Sequence, residues 1–101
     1  MRENKKHNPP NYLRLYRLDQ ELKLSDVAIL LDIKSIGRIS EWENGTSNPS
    51  IEHLISLGLI YHRLPDELYF QLRKSLSKKL VARYKLLKKK QEQKRKYAED
   101  G

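Results

Sequence analysis

From Asp66 to Asp100 neither proline nor glycine interrupts the chain. Within that stretch Leu68, Leu72, Leu76, Leu80, Tyr84 and Leu87 recur every three to four residues, with Lys and Arg on most positions between them. This spacing lays apolar side chains along one face of a helix. Helical from 66 to 96, the segment would be about 46 Å long at 1.5 Å per residue. The whole chain has only 101 residues, enough for one small domain. Such a helix is longer than the domain is wide. Its last turns must project into solvent, fold back, or meet a partner. The stripe itself is expected either to pack against helices one and four or to form a dimer interface. Like charges at helical spacing through Lys88-Lys89-Lys90 and Lys94-Arg95-Lys96 predict fraying there.

Charge divides the chain in the same place. Residues 7–70 hold six bases and nine acids, whereas residues 71–96 hold twelve bases and one acid, Glu92. A mildly acidic body therefore carries a strongly basic C-terminal arm. Such an arm calls for a polyanionic partner, nucleic acid or an anionic membrane surface, unless it serves only as a solubilising tail.

Ahead of Pro65 the helical stripes are short and separated by turn signals. Residues 1–10 are polar, end in Pro9-Pro10 and read as a flexible arm. Asn11 can cap a first helix from Tyr12 to about Leu22. Ser25 is a cap candidate for a second, with Asp26 in the first turn, where the helix dipole favours an acid. Asp32-Ile33-Lys34 interrupts, and Ser35 can cap a third helix. There Ile36, Ile39 and Trp42 share an apolar face, while Gly37, Arg38, Ser40, Glu41 and Asn44 fall largely outside it. Gly45 suits the left-handed position that ends a helix. After the loop Thr46-Ser47-Asn48-Pro49, Ser50 can cap a fourth helix, and Pro65 can open the fifth. The reading is an all-α, five-helix bundle over 11–72, with residues 73–101 forming an extended basic amphipathic helix that frays into a tail.

Several function classes drop out. The chain has no Cys, so disulfides, thiolate metal sites and cysteine nucleophiles are excluded. His7, His53 and His62 are far apart and no carboxylate pattern surrounds them, so neither metal nor cofactor is expected. Glu41 and Glu43, two apart on a helix, point to different sides and make no acid–base pair. No glycine-rich phosphate loop occurs, and no enzyme is expected. No apolar run reaches the roughly 18 residues that span a membrane, and no secretory leader is expected. A cytoplasmic protein is the expectation.

Two short helices joined by a tight turn, the second with a polar face on an apolar base, have the layout of a helix-turn-helix. Residues 13–72 resemble the Xre-type helix-turn-helix domain of phage repressors and Cro-like regulators. The resemblance rests on Leu24-Ser25-Asp26-Val27-Ala28, on Ile39-Ser40-Glu41-Trp42-Glu43-Asn44-Gly45, on Asn48-Pro49-Ser50-Ile51 with Leu54, and on Leu64-Pro65-Asp66-Glu67-Leu68. It implies a repressor-like bundle whose third helix, about 35–44, enters the major groove of double-stranded DNA. It further implies base readout by Ser35, Ile36, Gly37, Arg38 and Glu41, and phosphate contact by Ser25, Asp26, Lys34, Asn44, Thr46 and Ser47. Glu43 matches a buried acid that pairs with an arginine of helix one, Arg17 in preference to Arg14. The chain departs from the family in three ways. Asp26 stands where glutamine is usual, the turn near Lys34 is one residue longer, and Ile36 and Gly37 are unusual readers.

Each residue also has a plain structural role to weigh. Ser25 and Ser35 are caps first, Trp42 is core, and Lys34 is as readily a bystander as a phosphate contact. Arg38 is the best reader, because its guanidinium can take two acceptors of guanine at once. Glu41 could accept from cytosine or pair with Arg38. The leading expectation is a homodimeric, sequence-specific transcriptional regulator. The alternatives are an antitoxin-like regulator with a protein partner, and an interaction module whose basic helix docks on a membrane or an acidic protein.

Overall fold

The computed structural model describes residues 10–100, with side chains through residue 95. Apart from Pro10, the arm expected at 1–10 lies outside the described residues. Within them the architecture is all-α, without a strand: α1 (Leu13–Asp19), α2 (Leu24–Leu31), α3 (Ile36–Asn44), α4 (Ile51–Tyr61) and α5 (Phe70–Asp100), with a 3-10 turn at Pro65–Tyr69 leading into α5. This is the helix-turn-helix bundle with a long C-terminal helix that the sequence implied.

The short helices are set by their ends. Asn11 does cap α1, from one residue further out than expected. The N-cap position is Tyr12, and Asn11 Oδ1 accepts from the Leu13 N–H at 3.0 Å. Helix α1 stops at Asp19, short of Leu22, because Glu21 turns left-handed at φ 58°. The Leu22 N–H then reaches back to the Arg17 carbonyl at 3.2 Å, and Leu22 packs against the core. The expected Ser25 cap is not formed. Lys23 holds the N-cap position, and Asp26 Oδ2 accepts from the Lys23 N–H at 2.8 Å. The longer-reaching carboxylate satisfies that N–H, which leaves Ser25 exposed in the first turn. Ser50 caps α4 as expected, its Oγ accepting from the His53 N–H at 3.2 Å. Gly58 is required by a close approach, since a Cβ there would lie 2.7 Å from the Arg63 carbonyl oxygen.

Leu13, Val27, Ala28, Ile39, Trp42, Leu57, Tyr61, Leu68 and Tyr69 form one buried core drawn from α1 to α4 and the 3-10 turn. The Tyr12 N–H donates to the Leu68 carbonyl at 2.9 Å, tying the start of the body to its end. Beyond Tyr69 every described side chain is exposed. The stripe Leu72–Leu87 is therefore not packed against α1 and α4. With no breaker, the helix runs on past the body and stays helical to Asp100, past the point where fraying was expected. The resulting molecule measures 66 × 32 × 21 Å.

Candidate nucleic-acid interface

The site is built on α2, α3 and the turn between them. Val27 and Ala28 of α2 and Ile39 and Trp42 of α3 are buried together, so this pair of helices is anchored from beneath. Asp32 closes α2 in the left-handed conformation at φ 59°, and Ile33 N–H bonds the Ala28 carbonyl at 2.9 Å. That closure turns the chain sharply enough for α3 to start at Ile36. Ser35 occupies the N-cap position of α3 with extended backbone, but its hydroxyl makes no capping bond.

On α3 the two faces separate clearly. Ile39 and Trp42 point inward, and Ser35, Ile36, Gly37, Arg38 and Glu41 are all exposed. Ile36 departs from the apolar stripe to which its spacing assigned it, because the first turn of α3 lies beyond the edge of the core. No ion pair joins Arg38 to Glu41 among the described residues. The Arg38 guanidinium instead sits 5.6 Å from the centre of the Trp42 ring. A cation over an indole is held in place but not neutralised, so its donors remain free to meet an acceptor.

The loop after α3 is fastened to a single carbonyl. Gly45 is left-handed at φ 83°, as its position predicts. The Glu41 carbonyl then accepts from the Thr46 N–H at 3.0 Å, from Thr46 Oγ1 at 3.2 Å and from the Ser47 N–H at 3.4 Å. Both backbone donors of Thr46-Ser47 and the Thr46 hydroxyl proton are therefore committed within the protein. The Asn44 side chain is exposed and Ser47 is half-buried. At the other end, Ser25 and Lys34 are exposed beside α2 and the turn. Asp26 is half-buried, its carboxylate occupied by the start of α2.

Behind this surface, Arg17 and Glu43 lock α1 to α3. Arg17 Nε donates to Glu43 Oε2 at 2.7 Å and Nη2 donates to Oε1 at 3.1 Å, a two-point pairing. Nη1 donates to the Leu22 carbonyl at 2.9 Å. The bond to Glu43 holds the Arg17 guanidinium above its ordinary pKa, against the opposing effect of burial. Arg17, not Arg14, is thus the partner of Glu43. Sequence reasoning missed the restraints on Trp42. The Asn11 amide donates to its carbonyl at 3.0 Å, and the His53 ring lies 5.2 Å from its own. No local pattern signals such contacts, since Asn11 is 31 positions away.

The helix-turn-helix family model matches residues 13–68. The chain belongs to the Xre-type helix-turn-helix family. The matched stretch is the buried body, ending at Leu68, with α5 wholly outside it. Neither the curated proteins nor the solved structures hold a match to this chain. The family is one of DNA-binding transcription regulators. No helix among the described residues is long and apolar enough to cross a membrane. No cluster of three or more metal-ligating side chains occurs among them.

Proposed function

We propose that this Xre-type protein is a sequence-specific, double-stranded DNA-binding transcriptional regulator that acts as a homodimer. One observation carries the reading: Ser35, Ile36, Gly37, Arg38 and Glu41 form an exposed strip on a helix whose other face is fixed in the core. A helix held in this way can enter the major groove without unfolding anything behind it. Arg38 is the principal reader, leaving or keeping its perch on Trp42 to meet guanine. Such a bidentate contact is worth roughly 1–3 kcal/mol against the wrong base. Ile36 offers an apolar contact to a thymine methyl, and Gly37 lets the backbone approach closely.

Ser25, Lys34, Asn44 and Ser47 are the phosphate contacts, and Thr46 joins them only by giving up its bond to Glu41. Asp26 acts indirectly, by ordering the start of α2. The body carries more acids than bases, so it cannot supply the attraction to a polyanion alone. The Lys- and Arg-rich α5 supplies it, adding sequence-independent phosphate contacts.

Selection of bound duplexes from a random pool, at two salt concentrations, tests the reading. The expected result is an enriched motif, arranged as an inverted repeat with half-sites about one helical turn apart. Binding without enrichment that disappears at the higher salt would overturn it. The helix-turn-helix would then be a scaffold and α5 the binding element.

A further inference from the structure

Among the described residues, two helices carry a row of three or more exposed large apolar side chains along one face. The first is on α5, where Leu72, Leu76, Leu80, Tyr84 and Leu87 lie along one side, 36% to 59% exposed. The second is on α4. Ile51, Ile55 and Leu59 are four residues apart, so they stack along one side of that helix, and they are 77%, 47% and 73% exposed. Neither face can cover the other within one chain, because α5 leaves the body as an unbroken helix.

Charge decides how the faces pair. Arg83 comes eleven residues after Leu72, which returns it to nearly the same side of the helix, within the α5 stripe. Lys79 borders the stripe. Two α5 stripes brought together would set the cations of one basic helix against those of the other. On α4 the charged residue is Glu52, at the edge of the Ile51-Ile55-Leu59 side, in a body where acids outnumber bases. Two α4 faces together would join two bodies that each carry more acids than bases. An α5 stripe laid on an α4 stripe instead joins a basic helix to an acidic body, with leucines meeting isoleucines in between.

We infer that the partner of α5 is a second copy of this chain, and that α5 of each protomer docks on α4 of the other. A two-fold arrangement makes the contact twice, since whatever one protomer offers the other offers back. It covers both apolar faces at once, which a contact between like faces does not. The inference deepens the homodimer reading above and rests on that part of it alone, since DNA is not needed for the contact.

The absence of cysteine gives a direct test on the full chain without DNA. One chain carries Ile55→Cys, another Leu80→Cys. Both sites are exposed and mark the middles of the two stripes, so they meet when the stripes dock centre on centre. After mixing and mild oxidation, the mixed 55–80 disulfide dimer is expected to dominate. Predominance of the 80–80 product would overturn the inference in favour of an α5–α5 dimer, and a monomer at all concentrations would overturn dimerisation itself. Arg83→Gln separates the same cases by sign in sedimentation equilibrium. Docking on an acidic body predicts a dimer weakened about tenfold, whereas relief of α5–α5 repulsion would strengthen it. A monomer that still selected a single half-site from the duplex pool would sink the interface and spare the DNA reading.

Discussion

Among the described residues Arg17 is the one buried charged residue, and its whole environment is arranged around that fact. Its guanidinium spends three donors on Glu43 and the Leu22 carbonyl, so α1, the end of the α1–α2 turn and α3 are joined at one point. Removing one member leaves the other charged and dry. Glu43→Ala is expected to cost about 3–5 kcal/mol of stability in urea unfolding. Arg17→Met combined with Glu43→Leu is expected to cost clearly less than the two single changes added together; simple additivity would show that the pair is not coupled. Tyr61 lies in the same neighbourhood. Burial pushes its hydroxyl well above the usual tyrosine pKa, the Glu43 charge adds to this, and the Arg17 charge opposes it. Burial raises Tyr69 as well. The unfolded chain loses these protons near pH 10 while the folded chain keeps them, so stability is complete below about pH 10 and falls above it. Arg17, also raised, loses its contribution only at still higher pH. Tyr61→Phe is therefore expected to flatten part of the alkaline loss in melts between pH 8 and 11. An unchanged slope would mean that the hydroxyl titrates as freely in the folded protein as in the unfolded one.

At the scale of the helix, legibility in the sequence depended on whether a signal is local. Helix α3 was readable because Gly45 marks its end and Ile39 and Trp42 mark its inner face. The start of α2 was misplaced because its N–H is satisfied by Asp26 from within the helix, not by a serine in front of it. The left-handed turns at Glu21, Asp32 and His62 were illegible, since nothing in a polar residue announces φ near 60°. The exposed face of α3 was legible from the spacing of Ile39 and Trp42, which leaves Arg38 and Glu41 outside the core. Thr46's commitment to Glu41, and Arg38's perch on Trp42, were not. Both follow from where the loop and ring end up in space. Gly37 gives this level its own test. It sits in the first turns of α3 with ordinary helical backbone, and a Cβ there would meet only Ser35 Oγ at 3.4 Å. Alanine removes backbone freedom from the unfolded chain and fits the folded one. Gly37→Ala is thus expected to stabilise the protein by about 0.5–1 kcal/mol. If α3 is the reading helix, the same methyl group also alters base preference at one position of the selected motif. A gain in stability with an unchanged motif would remove Gly37 from the DNA-facing strip.

For the whole molecule the decisive feature is the division of labour between an acidic body and a basic helix. A stripe of leucines looks the same in sequence whether its cover comes from its own chain or from another, which is why the path of α5 could not be read beforehand. The structure places the last core residues at Leu68 and Tyr69, so the body is complete before α5 has made its first full turns. Deleting residues 73–101 removes the exposed Arg73–Asp66 ion pair, a surface contact worth at most about 1 kcal/mol, and no residue of the core. The truncated body is therefore expected to fold, with nearly the stability of the parent protomer outside the dimer. Its DNA binding should suffer on every sequence alike, because the lysines and arginines of α5 meet phosphate and not base edges. The dependence of log affinity on log salt should become shallower by about 0.9 for each phosphate no longer neutralised. Loss of dimerisation adds a separate signature, a change in how binding depends on protein concentration at fixed salt. Arg38→Ala should behave in the opposite manner, keeping the salt dependence and losing roughly 1–3 kcal/mol of discrimination at one or two base pairs. Filter binding of both variants to the selected motif and to single-base variants of it, across a salt series, separates the two contributions. Uniform loss from both variants would mean that Arg38 touches phosphate, and that sequence is read by another part of the α3 surface.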